Sequence, residues 1–520
     1  MSENPDRAND FKSKIRGDEI NPNTKADAPT ESLTKYRAEK MNTLLDSVGK
    51  GFCMAKWYNV SMHLTHGWTH SCYHPTAHKI PLDELTEDPS ALHNTKFKKE
   101  QRAEMLNGER PKECTYCWAI EDGKEGHMSD RPYRSQEVFT YTNYSKAVEE
   151  DPLKTNFDPT YVEVNFNHAC NFKCSYCSPH LSSTWMEEIE DYGPYQVAGK
   201  DHNDIRWMLD SDRMPLKGSH NPYQEAFWKW WPDMYKKLRN FRMTGGEPLI
   251  DKNTFKVLDY VIENPKPNLQ VSITTNLNPP DTLWEKFLKQ VIQIAKTAAL
   301  EHFMVYVSVD GHGKQAEYMR YPLNFEQLET NVNRFLGEVP GYHSLTFINT
   351  FNALSVTSMK RWLEWILELR KKHSKTRQLI WFDIPYLHDP HWQTLKVLPE
   401  SYEKYLEESI KFMQDNRETK ETRFQGFKDY EVDKLQRDLE WMRKRPAKAE
   451  LEQDRINFYR FFTEHDKRRS TNFLSAFPEM EGFWNECKAL SDSFVDEEKE
   501  DIELDELSII DDILAGRDVG

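Results

Sequence analysis

The chain has 520 residues and 61.6 kDa, a length that suggests about three domains. With 38% hydrophobic and 12% aromatic residues it can build a large core, which excludes wholesale disorder; it has no long apolar run and its N-terminus is polar, which excludes a transmembrane helix, gives no support to a signal peptide and points to a cytoplasmic protein. The net charge is −16, but residues 491–520 alone hold twelve acidic and two basic residues, so the acidity belongs to the tail, and duplex nucleic acid is disfavoured as the main partner because phosphate binding needs clustered Lys and Arg.

Residues 1–45 are polar without an apolar period and read as a mobile arm. Residues 46–145 hold four cysteines among short, turn-rich segments, a small cysteine-rich domain. Residues 155–395 change rhythm. Strand candidates at 161–166, 241–246, 271–276, 304–310, 344–350 and 378–384 alternate with helical patterns near 183–190, 253–264, 282–298, 325–336 and 357–372. Apolar strands alternating with helices indicate a parallel sheet, and six such units predict an α/β fold with a partial (β/α)6 TIM-type barrel. Residues 190–240 form an aromatic insertion whose Trp228, Trp230 and Trp231 are expected partly in the core. Residues 400–485 are charged and helix-favouring, a C-terminal helical extension, and 486–520 form the acidic tail.

The eight cysteines carry the chemistry. Seven fall in two tight sets before residue 180, and closely spaced cysteines in a reducing compartment bind metal or do redox chemistry. Cys170, Cys174 and Cys177 follow the first barrel strand with C-x3-C-x2-C spacing. Three thiolates in one short loop can hold three irons of a [4Fe–4S] cubane and leave the fourth open for a small molecule. A structural zinc site wants a fourth ligand, which His168 or Cys487 would have to supply. The second barrel strand ends in Gly245-Gly246-Glu247-Pro248, where two glycines allow close backbone approach. Polar residues stand at later strand ends: Asn276, Ser308 and Asp310, then Arg320 and Asn352.

The C-x3-C-x2-C loop with Tyr176 before its last cysteine, followed by GGEP, resembles the signature of the radical S-adenosylmethionine superfamily. The resemblance implies that Cys170, Cys174 and Cys177 bind the catalytic cluster and that Tyr176 and the backbone of Gly245, Gly246 and Glu247 border S-adenosylmethionine. It gives Asn276, Ser308 and Asp310 to the ribose, Arg320 to the cofactor carboxylate and Asn352 to the adenosine pocket.

The N-terminal set reads Cys53-x13-Gly67-x4-Cys72, then Cys114-x2-Cys117. Four thiolates complete a ligand set for zinc or for a [4Fe–4S] cluster. With Trp57 and Trp118 beside them, they resemble the twitch domain, the one-cluster relative of the SPASM auxiliary domain, here placed before the barrel. The resemblance covers residues 48–395. It implies two [4Fe–4S] clusters and reductive cleavage of S-adenosylmethionine. The 5′-deoxyadenosyl radical would take hydrogen from a substrate, either a peptide or a small molecule, with electrons from a flavodoxin or ferredoxin. Tyr386, His388, His391 and Trp392 are candidates to border the substrate pocket. The alternative is a zinc-binding interaction protein without catalysis. It accounts for the four-cysteine set and the acidic tail, and leaves the three-cysteine loop and GGEP unexplained.

Overall fold

Strands β1 (Asn59–His63), β2 (Trp68–His70) and β3 (His78–Lys79) precede the predicted barrel region. Within it lie β4 (Tyr161–Asn165), β5 (Tyr195–Val197), β6 (Lys200–His202), β7 (Asn240–Thr244), β8 (Lys266–Thr275), β9 (Leu300–Ser308), β10 (His343–Ile348) and β11 (Ile380–Asp383). This computed structural model describes residues 30–494 apart from 124–126, 217–219 and 342. β5 and β6 form a separate hairpin; the other nine strands make one sheet in the order β11-β10-β9-β8-β7-β4-β1-β2-β3. From β11 to β1 every neighbour is parallel, and β2 and β3 add antiparallel strands at one margin. The protein is therefore α/β with a mostly parallel central sheet.

Parallel strands need long crossovers, and helices supply them: Lys252–Glu263, Asp281–Lys296, Phe325–Glu338 and Ser355–His373 each stand between consecutive strands. Alternation along the strands sends Val162, Val164, Phe241, Met243, Val271, Ile273, Val305 and Val307 into the core. The opposite face is polar and half-buried, with Glu163, Arg242, Thr274, Tyr306 and Asp383. There Arg242 Nε lies 3.5 Å from Glu163, its guanidinium donates to Thr274 Oγ1, and it sits over the Tyr306 ring.

The six predicted strands correspond to β4 and β7 to β11. The N-terminal region differs from the expectation. The polar arm ends by residue 30, because Thr30–Asp46 is a helix that buries Met41, Leu44 and Leu45 at helical spacing; residues 1–29 lie outside the described residues. The cysteine-rich region is also not separate from the barrel region, since its β1 pairs along its whole length with β4, from Asn59 opposite Tyr161 to His63 opposite Asn165.

In the insertion, the helix Pro222–Lys237 buries Trp230 and Trp231 and leaves Trp228 half-buried. The C-terminal helices Glu403–Asp415, Asp429–Arg443, Lys448–Arg469 and Glu481–Ser493 pack into the same core as the sheet. Two buried ion pairs pin them, Arg370 to Glu431 at 2.6 Å and Arg469 to Glu188 at 3.2 Å. Cys487 is fully buried in the last helix, which carries ordered chain past the expected start of the acidic tail to Ser493; residues 495–520 lie outside the described residues. Among the described residues no helix is long and apolar enough to cross a membrane.

Candidate functional site

The Cys170 loop begins where β4 ends, and its shape is set by a bond within the loop and by bonds to three neighbouring segments. Ala169 N donates to Asn167 Oδ1 (2.8 Å) and Cys170 N to Ser183 Oγ (3.2 Å). Lys173 N and Ser175 N donate to the carbonyls of Tyr321 and Met319, and Trp185 Nε1 to the Cys174 carbonyl (2.9 Å). Ser175 Oγ donates to Gln393 Oε1 (2.9 Å), tying the loop to the turn after β11. Cys174 is buried, and Cys170 and Cys177 half-buried. Burial pushes the Cys170 thiol up and the Cys177 thiol to about 12, and a negative Cys174 beside them pushes further in the same direction. Three thiols thus crowd one another in a dry loop, an arrangement that a bound cation centre relieves.

Gly245 and Gly246 carry the approach of the β7 loop to this one. Gly245 has φ +128°, and a Cβ there would meet Asn165 Oδ1 at 2.7 Å; a Cβ on Gly246 would lie 2.1 Å from the Ala169 carbonyl oxygen. Only glycine fits either position. The close approach that the GG pair permits is to the cysteine loop's own backbone, with Glu247 N donating to Ala169 O at 2.7 Å. The Glu247 carboxylate, raised by burial to about 7, accepts from Thr275 Oγ1 (2.6 Å), Asn276 N (2.6 Å) and Leu249 N (2.8 Å). Asn276 Nδ2 donates to Asn171 Oδ1 (2.9 Å), which closes a ring of bonds between the loops after β4, β7 and β8.

The remaining strand-end residues divide. Ser308 is half-buried at the end of β9. Asp310 is fully buried and accepts from Tyr176 Oη (2.7 Å) and Thr350 N (2.8 Å), with Arg320 Nε 2.8 Å away. Arg320 also donates to Tyr176 Oη at 2.5 Å and reaches Cys174 Sγ at 3.6 Å. The guanidinium expected to face a cofactor carboxylate is thus committed to the protein's own Asp310, and its charge lies against a cysteine sulfur. Asn352 is fully buried and spends its amide on its own turn, donating to Thr350 O and accepting from Leu354 N. His168 gives its carbonyl to Ser183 N, and Cys487 stands among the C-terminal helices near Arg455 and Tyr402, so it is no ligand for this loop.

Cys53, Cys72, Cys114 and Cys117 line one cavity with His74, Trp118, Asp130, Arg131 and Arg134. None of the eight cysteines is disulfide bonded. Cys53 precedes the helix Ala55–Tyr58, Cys72 follows β2, Cys114 ends a 3-10 turn and Cys117 lies in the helix Thr115–Gly123. Burial, with Cys53 adding to it, pushes Cys72 to about 12 and Cys117 to about 11. Gly67 lies in the β1–β2 turn, Trp57 packs on Phe52, and Trp118 Nε1 donates to Pro111 O.

Behind these thiols lie three basic side chains, each of which burial pushes toward its neutral form. Lys56, Lys98 and Arg102 are buried. Lys56 pairs with Glu113 and faces Cys53 and Cys114. Lys98 has His93 Nδ1 at 3.3 Å, and Arg102 donates to Lys56 O and Asn94 Oδ1. Neither of the last two pairs with a carboxylate among the described residues. Negative sulfurs at Cys53 and Cys114 favour the charged form of Lys56 against its burial, so Lys56 suits an anionic ligand set, which is what thiolates around iron or zinc present. Among the described residues no group of three or more His, Cys, Asp or Glu stands close enough to grip a single metal ion. A cluster places its cysteines on separate irons, farther apart than ligands of one ion.

The two thiol sets lie at opposite ends of the β1–β4 ladder. Cys53 comes before β1, and Cys72 lies two residues beyond His70, which faces Ser61; the Cys170 loop leaves from the other end of β4. Five-residue strands separate these ends by about 13 Å. On the intervening face stand His63, His66, His70 and His180, with His63 Nε2 and His70 Nε2 3.0 Å apart. Burial holds all four imidazoles far below 6.5, hence neutral. Neither these histidines nor the buried basic side chains were singled out from the sequence, although five histidines between 63 and 78 are visible there.

Of the pocket candidates after β11, His388 and His391 border a cavity of about 600 Å³ with Lys396, Trp441, Glu450 and Asp454. Tyr386 stacks on Trp441 at 4.3 Å, whereas Trp392 is core, packed on Phe461 and His202. No protein-family model and no curated protein matches the chain.

Proposed function

We propose that this protein is a radical S-adenosylmethionine enzyme on a partial (β/α)6 barrel, with a twitch-like N-terminal region holding one auxiliary cluster. One observation carries the reading. Three mutually crowded thiols occupy a loop at a strand C-terminus, and that loop is tied by hydrogen bonds to the glycine pair after β7 and to the segments after β8, β9 and β11. Barrel chemistry is built at that end of parallel strands.

On this reading Cys170, Cys174 and Cys177 hold the catalytic cluster and leave one iron open, and Cys53, Cys72, Cys114 and Cys117 hold a closed one. Bound there, such a cluster would supply one-electron reduction of S-adenosylmethionine and, through it, hydrogen abstraction from the substrate. The chain's own groups do the rest. Arg320, fixed by Asp310 and Tyr176, keeps positive charge on Cys174. Glu247 and Asn276 hold the rim rigid, and the buried loop keeps water from the thiols. The polar face between the two thiol sets receives the substrate, a peptide or a small molecule. A flavodoxin or ferredoxin supplies electrons, and the free thiols accord with a cytoplasmic setting.

Anaerobic reconstitution tests this. The chain should take up about eight irons, absorb broadly near 400 nm (roughly), and form 5′-deoxyadenosine with dithionite. Changing Cys170, Cys174 and Cys177 to Ala should abolish that product and leave about four irons. A colourless chain with one or two zinc ions would instead be the interaction protein.

A further inference from the structure

The outer surface behind the Cys170 loop carries a feature that cofactor binding does not use. Helices Pro222–Lys237 and Lys252–Glu263 present the half-buried Trp228 in an open pocket of about 650 Å³, ringed by Lys229, Lys252, Lys256, Gln224 and Asn253. The three lysines are exposed, and none is paired with a carboxylate among the described residues. Lys256 Nζ sits 3.7 Å above the Trp228 ring, and the charge of Lys252 bears on it. The one acid at the rim, Glu225, is held by His220. On a chain of net charge −16 this is a local reversal of sign.

Its floor leads straight to the thiols. Trp228 lies parallel to Phe166, ring centroids 6.2 Å apart and 4° from coplanar, and Phe166 is four residues before Cys170. Trp228 Nε1 donates to Asn253 Oδ1, whose amide donates to Asp251, which accepts from Asn167 of the cysteine loop (2.5 Å). Gln224 Nε2 donates to Phe166 O (2.8 Å). Lys252 and Lys256 ride on the helix that follows Gly245-Gly246-Glu247 after the 3-10 turn Pro248–Ile250.

We propose that this lysine-ringed Trp228 face docks an acidic one-electron carrier protein. The proposal rests on the radical S-adenosylmethionine reading and names the partner of that site. One electron leaves the carrier's reduced flavin and enters the oxidised cluster, and no bond is made or broken. Positive charge around an aromatic centre steers a negatively charged partner and gives it an apolar anchor.

The test uses the reconstituted full chain and an acidic flavodoxin. Carbodiimide should cross-link flavodoxin carboxylates to Lys229, Lys252 or Lys256, mapped by mass spectrometry. Reversing all three, K229E/K252E/K256E, should weaken flavodoxin binding about tenfold or more at low salt and flatten its salt dependence. The Arg triple variant should bind like the parent, and dithionite should reduce all three chains equally. Parent-like flavodoxin binding by the Glu variant overturns the docking site alone. So does a duplex oligonucleotide that binds the patch while flavodoxin does not. A chain with no dithionite-reducible chromophore overturns the docking site and the enzyme together.

Discussion

At Gly246 a single methyl group decides whether two loops can meet. Its Cβ would stand 2.1 Å from a backbone carbonyl that cannot swing aside, because Ala169 O already accepts from Glu247 N. Gly246→Ala should cost about 1–3 kcal/mol, read as a fall in the denaturation midpoint, since overpacking at backbone forces the chain to shift. An unchanged midpoint would show that the loops part without cost. Lys56 makes a complementary case. Its buried amine pairs with Glu113 and faces Cys53 and Cys114, and negative sulfurs there favour its charged form. Lys56→Met keeps the volume and removes the charge. Reconstituted iron should then drop from about eight towards about four per chain, with the Cys170 loop still filled. Full iron content would take Lys56 out of the four-thiol site.

Among the elements, the helices Ser355–His373 and Asp429–Arg443 are joined by Arg370 and Glu431, both fully buried, with Arg370 also donating to the carbonyls of Gly426 and Ile380. Arg370→Met strands a buried carboxylate and should destabilise by about 3–5 kcal/mol, whereas adding Glu431→Leu should recover most of it. Thermal melts of the two variants distinguish this from a simple packing loss. The six predicted strands of the parallel sheet were legible because their apolar runs are buried by covering helices. Their first residues were not: β8 begins at Lys266 and β9 at Leu300, five and four residues before the apolar runs, β8 in mostly polar, exposed chain and β9 in LEHF, where polar and apolar residues are mixed. β1 escaped because NVSMH has no pattern of its own and takes its place between β2 and β4, the latter about a hundred residues on. The three-cysteine loop was readable from spacing, since close sequence neighbours must share a loop, whereas Cys53, Cys72, Cys114 and Cys117 come from separate segments that packing brings to one cavity. Asp310 with Arg320, the histidines and the buried basic side chains meet only through tertiary packing, so the pairing of Arg320 with Asp310 was not visible in the sequence.

For the whole molecule, the shared sheet means that the N-terminal region cannot be removed as a module. A chain starting at residue 150 would expose the full edge of β4, including unpaired backbone groups beside Val162 and Val164. Such an edge templates pairing between copies. This truncation should be insoluble or polydisperse in size-exclusion chromatography, and a soluble monomer would show that β1 is an accessory to the sheet.

The β1–β4 ladder also sets an order of events during synthesis. The residues that become the four-thiol site leave the ribosome first, and β1 can close its hairpin with β2 at once, but its other edge stays open until residue 165 has emerged. Non-local pairings of this kind form late, after the intervening chain has been closed into a loop. The first thiols therefore stand beside a half-paired strand while the second set is translated. The sheet that joins the two thiol sets is complete only in a nearly finished chain.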